Sequence, residues 1–257
     1  MQITVLGCGP SSGVPFYNNL WGNCDPHNLK NVRTRSSIFV ETKEIKILVD
    51  TGPDLRQQLL REQIFDIDCV LYTHDHADHT HGIDDLRGIS AIHKQKVFPF
   101  YGDATTVNSL MKRFSYLMPQ DHFEAPQKTF PSFMEPHIIS GDFSLGDVHI
   151  QSFDQDHGYS RSLGFRLNDF AYSTDVVNLD DNAFRVLEGV KVWIVDALAY
   201  EEHAVHAHLS KTLSWIERVK PERAYLTHMS GKLDYATLCN TLPDHVKPCY
   251  DGLKIEI

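Results

Sequence analysis

The sequence lacks the marks of several protein classes. It has no CxxC pair, and its five cysteines, Cys8, Cys24, Cys69, Cys239 and Cys249, are odd in number and widely spaced. That gives no disulfide framework and fits buried free thiols in a reducing, cytoplasmic compartment. No apolar run approaches the roughly 18 residues of a membrane span, and mean hydropathy is -0.30. The opening Met1-Gln2-Ile3-Thr4-Val5-Leu6 has no basic region ahead of its apolar residues, so it reads as a first strand rather than a signal peptide. Positive charge is scarce, with 24 Lys and Arg against 34 Asp and Glu and a formal net charge of -10. That argues against a general nucleic-acid or anionic-membrane binder, since both attract basic surfaces. A bound metal would reverse the local sign, so an anionic substrate stays open. Low-complexity tracts, long charge blocks and solenoid repeats are missing as well.

What remains is ordinary globular material, 42% hydrophobic and 23% charged over 257 residues. That length suits a single domain, residues 1–257, able to bury a large core without staples. Strand-like runs open the chain at 3–7, 37–41 and 45–50. The turn Asp50-Thr51-Gly52-Pro53 leads into a helix with Leu55, Leu59 and Leu60 on one face. Cys69-Val70-Leu71-Tyr72 is a short apolar strand. A helix is expected from Asp103 to about Met118, and a proline-rich irregular stretch, a candidate lid, over 119–136. Strands resume at 148–153, 162–167, 170–173 and 192–196. Ser210 is placed to cap a helix reaching Val219, and strands at 223–227 and 253–257 close the chain. Strands first, then strands alternating with helices, predict an α+β fold: two mostly antiparallel sheets packed face to face with helices outside.

The unusual number is 15 histidines. The densest signal is His74-x-His76-x-Asp78-His79, directly after a strand. Residues at i and i+2 of an extended chain share a side, so His74 and His76 can reach one metal. Asp78 and His79 follow where the chain turns into a helix and can address a second. Further ligand types stand at strand ends downstream: His157 after Asp154-Gln155-Asp156, Asp175 after Tyr172-Ser173-Thr174, and His228 after Tyr225-Leu226-Thr227. A polar surface turn, or a lone strand-end histidine with a structural role, is the bland account of each alone.

Taken in order, and with Asp50 in Leu48-Val49-Asp50-Thr51-Gly52, the set resembles the metallo-β-lactamase superfamily of metallohydrolases, over nearly the whole chain. The resemblance implies a four-layer αββα sandwich with a dinuclear site at one edge. By it, His74, His76 and His157 hold one divalent ion, Asp78, His79 and His228 the other, and Asp175 bridges both. Asp50 would be a buried structural aspartate. The donors are nitrogen and oxygen only, which suits two zinc or manganese ions. Two divalent cations outweigh Asp78, Asp175 and a bridging hydroxide by one positive charge, a balance suited to an anionic phosphodiester.

Glu202-His203-Ala204-Val205-His206-Ala207-His208 precedes the last ligand. A histidine here resembles the catalytic one of the superfamily's phosphodiesterase branch, which includes a phosphoribosyl cyclic phosphodiesterase and the tRNA 3′-processing endonuclease. His206 and His208 are both candidates to protonate the leaving oxygen. Asp78 is counted with them among the catalytic side chains. The Gly7–Pro15 loop, Asn31-Val32-Arg33-Thr34-Arg35-Ser36-Ser37 and Tyr250-Asp251-Gly252-Leu253 look like the cyclic phosphodiesterase group. Arg33 and Arg35 could pair with phosphate or form a solvated pair beside a strand. Residues 18–31 depart from members that carry a cysteine cluster, offering only Cys24 and His27. The expected function is hydrolysis of small cyclic or nucleotide-like phosphodiesters, with no membrane or stable nucleic-acid partner and with a homodimer as a further expectation. The alternatives are tRNA 3′-end cleavage, and a lactonase or thioesterase on the same metals.

Overall fold

A computed structural model describes residues 1–119 and 131–257. Its strands are β1 (Gln2–Gly7), β2 (Ser37–Glu41), β3 (Lys46–Val49), β4 (Cys69–Leu71), β5 (Phe98–Gly102), β6 (Met134–Ile138), β7 (Phe143–Leu145), β8 (Val148–His157), β9 (Ser160–Leu167), β10 (Phe170–Ser173), β11 (Val192–Asp196), β12 (Arg223–Thr227), β13 (Val246–Pro248) and β14 (Lys254–Glu256). Its helices are α1 (Leu55–Glu62), α2 (Ala77–Thr80), α3 (Leu86–Ile92), α4 (Ala104–Arg113), α5 (Asp181–Leu187), α6 (Leu209–Val219) and α7 (Tyr235–Thr241).

The strands form two seven-stranded sheets, ordered β14-β1-β2-β3-β4-β5-β6 and β13-β12-β11-β10-β9-β8-β7. Both are mixed, where mostly antiparallel sheets were expected. From β14 to β3 and from β7 to β10 neighbours run antiparallel. From β3 to β6 and from β10 to β13 they run parallel. The reason lies in the connections. Short turns join β2 to β3, β7 to β8, β8 to β9 and β9 to β10, whereas a parallel return needs a crossover, and the helices supply it.

Period-two alternation sends side chains to both faces of the first sheet. Ile3, Val5, Ile38, Val40, Ile47, Val49 and Leu71 on one face of it belong to one buried cluster with Phe165, Tyr172, Trp193 and Leu226 of the second sheet. Leu6, Phe39, Leu48, Val70 and Phe100 pack instead on Leu55 and Leu59 of α1, Ile89 of α3 and Leu110 of α4. Ala183 of α5, Trp215 and Ile216 of α6 and Leu238 of α7 cover the second sheet. The result is a helix–sheet–sheet–helix sandwich.

Several boundaries differ from expectation. Helix α4 ends at Arg113, capped by Asp103, and a 3-10 turn at Ser115–Leu117 follows it. Residues 120–130 of the irregular stretch expected over 119–136 lie outside the described residues. Its end is not irregular, because Pro136 sits inside β6. β6 is an edge strand, where a missing N–H is tolerated. Ser210 lies inside α6, whose N-cap position is His208. No helix among the described residues is long and apolar enough to cross a membrane.

Candidate metal centre

Parallel strands finish at a common edge, and this edge gathers the chemistry. Asp50 follows β3, His74 follows β4 by three residues, Asp175 follows β10, Asp196 ends β11 and His228 follows β12. β8 runs antiparallel to β9 and β9 to β10, so β8 shares the direction of β10 and brings His157 to the same edge. Asp50, Asp175 and His228 all adopt left-handed backbone, with φ of 64°, 53° and 57°. Such conformations cost non-glycine residues about 1 kcal/mol or more and collect at functional sites. Here each turns a strand end so that its side chain faces the rim.

Asp175 is the hub. Its Oδ2 lies 3.8 Å from His74 Nε2 and 3.6 Å from His157 Nε2. Its Oδ1 lies 3.1 Å from both His79 Nε2 and His228 Nδ1. One group of potential metal donors is His74, His76, His157 and Asp175, and another is His79, Asp175 and His228, with donor atoms within 4.8 Å of one another in each. Asp78 borders the second group, its Oδ2 3.4 Å from His79 Nε2.

Surrounding residues fix the rings. His79 Nδ1 bonds Asp50 at 2.7 Å, His74 Nδ1 lies 3.0 Å from Thr73 Oγ1, and His157 Nδ1 bonds the Val205 carbonyl at 2.8 Å. Asp50 also accepts the Thr73 N–H and hydroxyl, so it braces the motif loop from below. Each Nδ1 contact leaves Nε2 facing inward. His74 Nε2 and His79 Nε2 are buried without a hydrogen-bond partner. His228 differs, presenting Nδ1, with Ser36 Oγ and Thr174 Oγ1 each at 3.3 Å.

Electrostatics point the same way. Burial holds His74, His157 and His228 below the usual histidine range, against the pull of Asp175. Burial disfavours the Asp175 carboxylate, but His228 and His79 outweigh it and hold the group ionised. His79 also resists burial: Asp175, Asp78 and Asp50 raise it well above its ordinary value. Three carboxylates thus hold a positive charge where a cation would stand. Inward-facing neutral imidazoles, ionised carboxylates and orphaned Nε2 atoms are what a divalent cation requires. The residues fit the metal.

His206 stands beside this cluster. Its ring stacks on His228 with centroids 4.6 Å apart, and its Nε2 is 4.0 Å from Asp175 Oδ2. Its Nδ1 lies 3.0 Å from Asp196 Oδ2, which also accepts the Val176 N–H. Burial opposes a proton on His206, yet Asp196 and Asp175 raise it above its ordinary value. His208 does not join the cluster. It stands at the N-cap position before α6, pairs with Ala199 through a β-bridge, and its carbonyl accepts from the Thr212 N–H. Asp196, Ser36 and Thr174 were not anticipated. The signal for Asp196 was present in Trp193-Ile194-Val195-Asp196, another apolar strand ending in a ligand-type residue.

The sequence matches the beta-lactamase superfamily domain over residues 46–229, and the chain belongs to that family. Among solved structures, a diphosphatase from the PhnP family superposes with a TM-score of 0.88 at 31% identity, covering 100% of this chain and 97% of that one. Among relatives, an octanoyltransferase of Porphyromonas gingivalis is 28% identical over 257 residues, 99% of this chain. The chain spans about half of that relative's length, 51%. An exodeoxyribonuclease WalJ of Streptococcus pneumoniae is 26% identical over 229 residues, 84% of this chain and 76% of its own. The fold is that of the metallo-β-lactamase superfamily, in its PhnP-like branch.

Proposed function

We propose that the protein is a phosphodiesterase with two divalent ions, zinc or manganese, acting on small cyclic or nucleotide-like phosphodiesters. One observation carries this reading: the two oxygens of Asp175 face different histidine groups, and His206 stands beside both. His74, His76, His157 and Asp175 would hold one ion, and Asp78, His79, His228 and Asp175 the other. Bound there, the pair would supply Lewis-acid polarisation of the phosphoryl group and activation of a water.

The chain's own residues do the rest. Asp196 fixes His206 with its Nδ1 committed and its Nε2 aimed at the cluster. As a water oxygen that has released a proton to solvent bonds to phosphorus and the ester P–O bond breaks, His206 Nε2 gives its proton to the leaving oxygen and regains one from solvent for the next cycle. Asp175 and Asp196 stabilise the imidazolium before that transfer, and both remain ionised through it. Asp50 keeps His79 in register from outside the reacting centre.

The likeness to a diphosphatase supports phosphorus–oxygen cleavage. The likeness to an exodeoxyribonuclease favours a second reading, removal of nucleotides from a DNA end. The net charge of -10 counts against a long polyanion. The deciding experiment is metal analysis together with turnover of bis(4-nitrophenyl) phosphate, cyclic nucleotides, dinucleotides, single-stranded DNA, precursor tRNA, a thioester and a lactone. Cleavage of the small diesters is expected. Preference for DNA or tRNA selects a nuclease reading, and turnover of the thioester or lactone alone overturns both.

A further inference from the structure

Among the histidines of the first donor group, His76 is held differently. His74 and His157 each commit Nδ1 to an oxygen, on Thr73 and on the Val205 carbonyl. The His76 ring has no hydrogen-bond partner among the described residues, and His76 is the exposed member of its group. Its ring neighbours are His74 and His157, with centroids 4.5 and 5.1 Å away. A ring without a hydrogen bond of its own takes its place from its backbone, and a loosely placed donor costs a metal site affinity.

That backbone is fastened from two sides. Within the loop, the His76 carbonyl accepts the Thr80 hydroxyl at 2.8 Å and the His79 N–H at 3.1 Å. From outside, α4 grips the residue before it. The Asp75 carbonyl accepts from Arg113 Nη2 at 2.6 Å, and Asp75 Oδ2 accepts the Ser109 hydroxyl at 2.5 Å. The Asp75 carbonyl belongs to the planar peptide unit that joins Asp75 to His76. Arg113 therefore fixes the plane from which the His76 side chain departs.

The grip has a rigid base. Ser109 and Arg113 are four residues apart and share a face of α4, while Val107 and Leu110 anchor that helix in the core. Arg113 Nη1 also lies 3.4 Å from His81 Nε2, so the guanidinium spans the motif from Asp75 to two residues past His79. The second donor group has other supports. His79 is held by Asp50, and His228 by Ser36 and Thr174.

We propose that Asp75, Ser109 and Arg113 form a positioning clasp that sets the His76 donor, and through it the affinity of one ion site and not the other. The inference rests on the two-ion reading of the centre. It makes the two sites unequal: α4 bears on the ion held by His74, His76 and His157, and leaves the ion held by His79 and His228 to supports from the sheets.

The test is a zinc titration of chelator-stripped protein in competition with a chromophoric chelator, which reads both binding steps without turnover. Wild type should take up two ions. Arg113→Ala should weaken one step roughly 10–100-fold, the cost of losing an outer support, and leave the other within about threefold. The weakened step should be the one that His76→Ala weakens most. Ser109→Ala should act on the same step, more mildly. Arg113→Lys keeps one donor without the fork and should recover part of the loss. The double variant of His76→Ala with Arg113→Ala decides the matter. A clasp that acts through His76 then has nothing to position, so zinc binding should match that of His76→Ala alone within about threefold. Losses that add in the double variant, or equal weakening of both steps in Arg113→Ala, would mean that these contacts serve the local fold, and would overturn the proposal. Unchanged affinities in both Arg113→Ala and Ser109→Ala would overturn it as well. A wild type that binds fewer than two ions defeats the two-ion reading instead.

Discussion

The Nδ1 of His206 lies 3.0 Å from Asp196 Oδ2, across ten residues of sequence, and Asp196 is fully buried. The carboxylate is shared with the Val176 N–H, one residue past Asp175. One side chain therefore orients the proposed acid and braces the turn that presents the hub of the metal cluster.

Asp196→Asn tests this link. The amide keeps the shape but loses the charge and can present an N–H toward His206. We expect kcat for an aryl phosphodiester to fall roughly 10²–10⁴-fold, the range of a general-acid contribution, with a smaller change in KM. Circular dichroism should show the fold retained. A kcat within about threefold of wild type would remove Asp196 from the mechanism.

His206 and His208 separate under substitution. His206 stacks on His228, whereas His208 stands at the N-cap position of α6 with no side-chain cap bond. His206→Ala is expected to lose kcat by about 10²-fold or more. His208→Ala should cost far less, and Tm is the readout for its place at the helix start. Equal losses in kcat would place both histidines at the reacting atoms.

The two histidines also show how far sequence reading reaches. Spacing at i and i+2 brought both forward because an extended chain would point them alike. The chain bends at 204–206, so His206 and His208 do not share an extended run, and His208, extended and bridged to Ala199, leads straight into α6. The motif around His74 was legible because several ligand types crowd into six residues. Asp175 and His228 were legible because each closes an apolar run. Asp196 closes such a run too, but an aspartate after a strand is common, and only its contact across space reveals a role. Sheet polarity was hidden for another reason: period-two alternation is the same in parallel and antiparallel pairing. β6 was masked by the prolines around it, which an edge strand accommodates.

Acid should weaken the fold through Asp234. This N-cap of α7 accepts the Thr237 N–H and hydroxyl, the Asp25 N–H and the Asn31 amide. Burial raises the carboxyl, but these donors outweigh it and hold it at about 2, below its ordinary 3.8. A depressed folded value means that the stabilisation is complete above the unfolded value and fades as pH falls from about 4 toward 2. Asp234→Asn should lower Tm at pH 7 by about 2–8 °C, from a cap worth about 1–2 kcal/mol in a chain of this size. The difference from wild type should shrink across that acid window. A constant difference from pH 7 to pH 2.5 would show that the charge is not what counts.

Metal should act on folding through Asp175 before any turnover is measured. The donor groups are buried apart from His76, and Asp175, Asp78 and Asp50 together favour the charged form of His79. A divalent cation that binds this cluster only in the folded state stabilises it by mass action, by about 2.7 kcal/mol at a hundredfold excess over Kd. In a chain of this length that is a rise of roughly 5–10 °C in Tm on adding zinc or manganese to chelator-stripped protein. Asp175→Asn weakens the one donor facing both histidine groups, so it should abolish most of the rise and lower the bound metal toward one ion or none. His76→Ala, which removes an exposed donor from one group alone, should keep part of the rise and about one ion. If both variants lose metal equally, the two groups form a single site, and the bridging role given to Asp175 is wrong.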